Sequence, residues 1–414
     1  MFVSPSSAWL GASVLAPSVE AYGGYLRHHG YCARGIRAYL HGVGHFARWL
    51  TEKRIALGRI DEALVRRFLT RHLPVCRCQS PCKRGVHEVR AALQHLLRVL
   101  RHEGRIPGPS VTIPTAIREE LERFDAYLDE VCGLALSTRV SRLRWVHKFL
   151  HKRFGRRPLD ITLLKPGELL AFITRQAERC KPGTVHVLGC ALRSYLRFRA
   201  FHGDRTEALI AAIPRVAQWP QSRLPQHLTA DELTRFLDAF DQRTISGQRG
   251  YAIARCLLDL GLRASEVARI ELDDLNWYEG TLRIRTTKSR RVDLLPLPVP
   301  TGQAIVQYLR NARPKTASRA LFVRHRAPMD VPVSTAVVRG TVRLAFARCG
   351  LGGRYGGTHV LRHTAATRWL EAGANLKDIA DLLRHRCLDT STIYAKVDLA
   401  KLAVIAAPWP GSAR

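Results

Sequence analysis

Six residues in the second half of this 414-residue chain have types and spacings that suit one chemistry. His359 and Arg362, at i and i+3, share one face of a helix. Apolar residues continue at helical spacing through Trp369 and Leu370, until Gly373 and Asn375 stop that helix. A second helix, Leu376 to Leu383, delivers His385 just past its end, and Tyr394 follows nine residues later. Arginine does not ligate metals and no carboxylate joins the group, so these residues do not read as a metal site. They suit a phosphodiester, with guanidinium to grip non-bridging oxygens, imidazoles to move or share protons, and a phenol to attack.

The rest of that set lies upstream. LGLRASEVARI places Arg263 at a helix start after a glycine, with Glu266 one turn later. TLRIRTTKSRRVDLLPL, residues 281–297, alternates like two strands around a polar turn that holds Lys288. The ordered set Arg263, Lys288, His359, Arg362, His385 and Tyr394 resembles the catalytic signature of the tyrosine recombinases, the phage integrase family. A lone HxxR is weak, whereas six positions in register are specific.

The resemblance implies a mainly α fold with a small β-hairpin or sheet in the catalytic domain (α+β), preceded by helical bundles of core-binding type. It implies site-specific cutting and rejoining of DNA for integration or transposition. Tyr394 would attack the phosphate and form a 3′-phosphotyrosyl link with a free 5′-hydroxyl, without ATP, metal or other cofactor. Arg263 and Arg362 would clamp the non-bridging oxygens. Lys288 would protonate the 5′-oxygen, His359 would assist proton transfer at the nucleophile, and His385 would donate to the phosphate. Glu266 would orient Arg263 or His359. The implied partner is double-stranded DNA with specific recombination sites, bound by a homo- or hetero-tetramer and by companion recombinases where the element encodes them.

Composition agrees with a polyanionic partner. The formal net charge is +32, with 66 Lys and Arg against 34 Asp and Glu, and a biased genome explains arginine in place of lysine but not so large an excess. Hydrophobic residues make up 46%, enough for two or three domains with a sizeable core. No apolar run reaches membrane-span length, no basic residue precedes the mildly apolar N-terminus, and the ten cysteines read as reduced thiols. A cytoplasmic protein is expected.

In chain order, residues 1–20 read as a weakly structured leader within a helical module of residues 1–108. RIPGPSVTIP then closes that module. The helices next recur: VHVLGCALRSYLRFRAFHG at 185–203 matches VHEVRAALQHLLRVLRHEG at 86–104 without a gap, and VHKFL at 146–150 echoes FARWL at 46–50. The second copy, 115–205, resembles the core-binding domain that closes over DNA opposite the catalytic half. Its basic face includes Arg139, Arg142, Lys148, Lys181 and Arg193, and Thr184 after Pro182 and Gly183 reads as an N-cap that could seat a phosphate. Residues 206–227 collect prolines and read as a linker, and the catalytic domain, 228–406, opens with a capping box at Thr229 and Glu232. Its hairpin also carries Arg283, Arg285, Arg290 and Arg291. Leu399, Leu402, Ala403 and Ile405 give the tail an apolar face, with Trp409 beyond, that would dock in cis or on a neighbouring protomer. Tyr355, in the Gly-rich GLGGRYGGTH, reads as a turn residue.

HLPVCRCQSPCKRGVH places His72, Cys76, Cys78, Cys82 and His87 within sixteen residues, and zinc could use four of them. Paired CxxC knuckles are missing, so reduced loop thiols are the default expectation. A second function class also stays open, a catalytically silent DNA-binding accessory subunit. The complete set of catalytic residue types favours the enzyme.

Overall fold

The computed structural model describes residues 5–78, 83–108, 115–155, 157–216, 225–285, 292–329, 331–384 and 392–395. Lys288, Arg290, Arg291, His385, Cys82 and the apolar tail therefore lie outside the described residues. The chain divides into two compact units, one made of residues 1–110 with 223–414 and the other of 111–222.

In the first unit, the N-terminal segment folds into α1 (Pro5–Gly11), α2 (Val19–His28), α3 (Ala33–Glu52), α4 (Glu62–Arg67) and α5 (Val86–His102). Asp61 caps α4 by accepting the amide of Leu64 at 2.7 Å, and a π-helical turn, Phe68–His72, continues it. The leader expected to be weakly structured is helical instead. Leu10 and Leu15 are buried in the same core as Phe46, Phe68 and Leu93, because these scattered apolar residues find long-range partners that local pattern does not reveal.

The second unit holds α6 (Thr115–Ala126), α7 (Leu136–Arg153), α8 (Pro166–Ala177), α9 (Pro182–Phe201) and α10 (Glu207–Ala211). The repeat pattern carries over into burial. Val89, Ala92, Leu93, Leu97 and Val99 on α5 are buried, and so are their counterparts Leu188, Ala191, Leu192, Leu196 and Phe198 on α9. Both helices then stop at a glycine in the left-handed region, Gly104 at φ 67° and Gly203 at φ 96°. The expected linker begins later than residue 206. Thr206 is buried and bonded to the Leu196 carbonyl, and Leu209 and Ile213 belong to the bundle core.

The remainder of the first unit comprises α11 (Ala230–Asp238), α12 (Ile245–Asp259), α13 (Ala264–Val267), β1 (Leu275–Asn276), β2 (Thr281–Arg285), β3 (Val292–Pro296), α14 (Val299–Asn311), α15 (Thr335–Arg348), α16 (His359–Glu371), α17 (Leu376–Leu382) and α18 (Thr392–Ala395). Thr229 and Glu232 form the expected capping box at the start of α11. The three strands pair antiparallel in the order β1-β2-β3, with Leu282 opposite Leu295 and Arg283 opposite Leu294. This register turns Leu282 and Ile284 into the core and leaves Arg283 and Arg285 on the other face, where both pair with Asp274. The fold is thus mainly helical with one small sheet. No helix among the described residues is long and apolar enough to cross a membrane.

Candidate active site

The site begins where α12 ends. Gly261 adopts φ 57°, and a Cβ there would lie 2.7 Å from Leu383 and 3.1 Å from the Trp369 ring, so only glycine lets the chain pass. The turn sets Arg263 as the N-cap of α13. Its amide donates to Glu266 Oε2 and its guanidinium to Oε1, both at 2.7 Å. α16 presents His359, Arg362 and His363 at i, i+3 and i+4 on one face. Arg362 is 5% exposed and donates to the carbonyls of Gly261 and Leu383, tying α16 to the ends of α12 and α17.

Arg384 was not singled out from sequence. It follows α17 at φ 54°, a left-handed conformation that costs a non-glycine residue about 1–2 kcal/mol. The conformation folds its guanidinium back so that it meets Glu266 Oε2 at 2.7 Å, while Arg263 reaches the Arg384 carbonyl at 3.4 Å. Arg384 and Glu266 are both buried, at 6% and 8% side-chain exposure. Burial pushes the Glu266 carboxyl up, but Arg384 and Arg263 outweigh it and hold the group below the ordinary carboxylate range. Burial, reinforced by Arg263 and Arg384, brings Arg362 down to about 9, so it remains charged at neutral pH. Partial burial and the guanidiniums of Arg362, Arg339 and Arg263 lower His359 and keep its ring neutral. Among the described residues, three clustered guanidiniums share one carboxylate. Such a site is short of an anion.

Tyr394 on α18 packs with Ala366, Leu370, Ile379 and Leu383 and is 1% exposed. Its hydroxyl lies 2.9 Å from His363 Nδ1, a partner that sequence reading missed although His363 is next to Arg362 in the chain. Burial, His359 and Arg362 push His363 down to about 4, so its ring is neutral. Burial raises Tyr394 to about 12, with Arg362 acting against it. Tyr355, the other tyrosine of this region, is not a turn residue. It is 1% exposed, donates to Glu232 Oε2 at 3.0 Å, and has the His227 carbonyl at 3.1 Å.

Over 393 residues the chain is 35% identical to a protein of Sinorhizobium fredii named "Putative integrase/recombinase y4rA", covering 94% of this chain and 93% of that one. The chain belongs to the phage integrase family. Residues 226–401 match the phage integrase family directly. Tyrosine recombinase XerA of Pyrococcus furiosus is 27% identical over 280 residues, 67% of this chain and 90% of its own. Among solved structures, a XerH recombinase bound to a palindromic difH substrate superposes with TM-score 0.54 at 20% identity, covering 68% of this chain and 84% of that chain. A lambda integrase dimer bound to a COC′ core site gives 0.53 at 17% identity, with 67% and 94% covered. Their likeness is in fold, mostly helical with a small sheet. As a phage integrase family member, this chain is a site-specific tyrosine recombinase that cuts and rejoins DNA, and the silent accessory subunit is not favoured.

The structure gives the other expected residues particular surroundings. Arg139 is engaged by Asp125, at 2.7 and 2.8 Å, and by Asp129. Arg142 donates to Ser194 Oγ at 2.7 Å, and Lys148 donates to Gln176 with its ammonium 5.1 Å from the Trp145 ring centre. Arg193 donates to the carbonyls of Ile213 and Pro214 at 2.9 and 3.0 Å. Thr184 is not the N-cap of α9: the helix starts at Pro182, whose ring suits the first helical position, and Lys181 is the cap. Of the Cys/His cluster, His72, Cys76 and Cys78 come together, and they do so with His45 of α3. His87 is exposed on α5 and is not in that group.

Proposed function

We propose that Tyr394 is the nucleophile of the recombinase, and that Arg263 and Arg362 bind the scissile phosphate. The observation that carries this reading is the charge imbalance of three guanidiniums around one carboxylate beside a buried phenol. A phosphodiester entering between Arg263 and Arg362 supplies the missing negative charge, and the pentacoordinate phosphorane supplies more. Glu266 acts by position: two hydrogen bonds to Arg263 and one to Arg384 fix where the guanidiniums point.

The Tyr394–His363 contact holds the phenol rather than activating it. Burial raises the Tyr394 phenol and lowers the His363 imidazole, so a proton passing from one to the other runs uphill. Tyr394 therefore has to leave His363 and meet the phosphate before its proton departs, with His359 as the neutral imidazole nearer the arginines. Lys288 and His385 take the roles of leaving-group acid and phosphate donor. The covalent product is a 3′-phosphotyrosyl link that conserves the bond for rejoining.

The partner is double-stranded DNA, and recombination is carried out by an assembly of several protomers. The Tn1549 transposon integrase in complex with transposon right end DNA has TM-score 0.51 to this chain, and service to a mobile element fits that likeness. Within the second helical unit, Lys181, exposed at the N-cap of α9, is the candidate for a phosphate contact.

The test is Tyr394→Phe on nicked suicide substrates carrying candidate element ends. Covalent protein–DNA product should vanish while DNA affinity and melting temperature stay close to wild type, since one buried hydrogen bond contributes about 1 kcal/mol. Adduct formation by the variant, or peptide mapping of the adduct to another tyrosine, would reject the assignment.

A further inference from the structure

His45, His72, Cys76 and Cys78 converge from three separate pieces of the first helical bundle. His45 projects from the middle of α3, His72 ends the π-helical turn after α4, and the two cysteines lie in the connection that leads to α5. One donor atom from each lies within 4.8 Å of every other. His45 Nε2 and His72 Nε2 are 3.3 Å apart, and Cys78 Sγ is 3.8 Å from His72 Nε2. A tetrahedral zinc ion, with bonds of about 2.3 Å to sulfur and about 2.0 Å to nitrogen, puts its donors roughly 3.3–3.8 Å apart.

The orientation of the rings points the same way. His45 Nδ1 lies 3.1 Å from the Lys83 carbonyl, an acceptor only, so this nitrogen carries the proton and the Nε2 lone pair faces the other donors. A carbonyl behind a metal-binding imidazole is the usual way to fix its tautomer and raise its basicity. Phe68 stacks on His72 and meets His45 edge-on, with the Phe46 and Trp49 rings beside it, so the rings are clamped by an apolar wall. Two thiolates and two neutral imidazoles around a divalent cation sum to zero charge, which suits that wall.

We infer that these four residues form a structural Cys2His2 zinc site that staples residues 73–78 to α3. Soft thiolates with imidazoles in a tetrahedral arrangement select zinc over the hard oxygen-seeking cations. Closed four-ligand coordination makes the site structural rather than catalytic. Among the described residues, the second unit shows no counterpart. Trp145 stands where the repeat places His45, and its α8–α9 connection is only residues 178–181. The first bundle has the longer connection and the ligands to fix it.

Zinc content of the full-length protein, after reconstitution with zinc and gel filtration, should be one ion per chain. Cobalt substitution should give a thiolate-to-cobalt absorption band. Cys76→Ser and Cys78→Ser should each lose the ion, and His87→Ala should keep it. Alkylation of the wild-type protein followed by peptide mapping serves even where a variant fails to fold. Cys76 and Cys78 should be protected until a chelator is added, and both should then react. The inference is overturned if the reconstituted protein elutes without stoichiometric zinc, or if His87→Ala loses the ion as the serine variants do. Alkylation of Cys76 and Cys78 at one rate with and without chelator would overturn it too.

Discussion

Replacing Glu266 with glutamine removes the carboxylate that faces three guanidiniums, and its cost follows from burial. The Arg384–Glu266 pair has side-chain exposures of 6% and 8%, so breaking it leaves a buried cation without its counter-ion, at about 3–5 kcal/mol. The Arg263 side chain is 36% exposed, so its share is screened to below about 1 kcal/mol. Glutamine keeps one acceptor oxygen but turns an NH2 toward a guanidinium, so little is recovered. At about 2–4 °C per kcal/mol for a domain of this size, thermal unfolding should start roughly 10 °C lower. The pH dependence has a definite sign. The carboxyl is held below its ordinary value in the folded protein, so its stabilisation is complete above about pH 4.5 and is lost as pH falls through the folded pKa. The gap between wild type and Glu266→Gln should therefore be full at pH 7 and close under acid. Sulfate supplies the charge that glutamine lacks, so titrated sulfate should raise the melting temperature of the variant more than that of wild type. Scanning calorimetry at pH 7 and at a series of steps downward from about pH 4.5, with and without sulfate, measures all three effects. A variant melting within about 2 °C of wild type at pH 7, or responding identically to sulfate, would refute the account of Glu266 as counter-ion.

Two further predictions bear on the chemistry. Lys288→Ala should cleave an ordinary phosphodiester poorly but cleave well when sulfur replaces the bridging 5′-oxygen, because a thiolate leaves without a proton; equal defects on both substrates would assign Lys288 to phosphate binding instead. His363→Phe leaves the Tyr394 hydroxyl buried without a partner, at about 1–3 kcal/mol, which favours the released tyrosine. Adduct should form faster in this variant and discriminate less between cognate and unrelated DNA, in single-turnover assays on both; an unchanged rate would show that the contact does not hold the nucleophile.

The candidate catalytic residues could be picked out in the sequence because each would have to meet one phosphate, so types and order in the chain carry the requirement directly. Arg263 with Glu266, and His359 with Arg362, also satisfy helical spacing, which local sequence encodes. Arg384 and His363 were not legible for a different reason. The role of Arg384 depends on a positive φ that returns its side chain to Glu266, and no composition rule marks that turn. His363 is defined by Tyr394, thirty-one residues away. Tyr355 looked like a turn residue because glycines surround it, yet its surroundings are set by Glu232 more than a hundred residues earlier. His45 sits in an amphipathic helix among aromatics, where a ring reads as core until His72 appears opposite it. Fold class was the easier inference, since helical periodicity and the alternating hairpin are local signals.

The contact between Tyr394 and His363 also bears on fidelity. A chain with a formal charge of +32 meets DNA phosphates everywhere, and most encounters are with the wrong sequence. If binding alone licensed cleavage, each encounter would risk a nick. If Tyr394 is the nucleophile, as proposed, an oxygen kept 2.9 Å from a neutral imidazole would set a threshold: only a site whose contacts outweigh that bond and the packing around the ring would draw the tyrosine out. Errors of binding would then be forgiven by dissociation before they became breaks, and sequence would be judged twice, once by affinity and once by the work of releasing a single side chain.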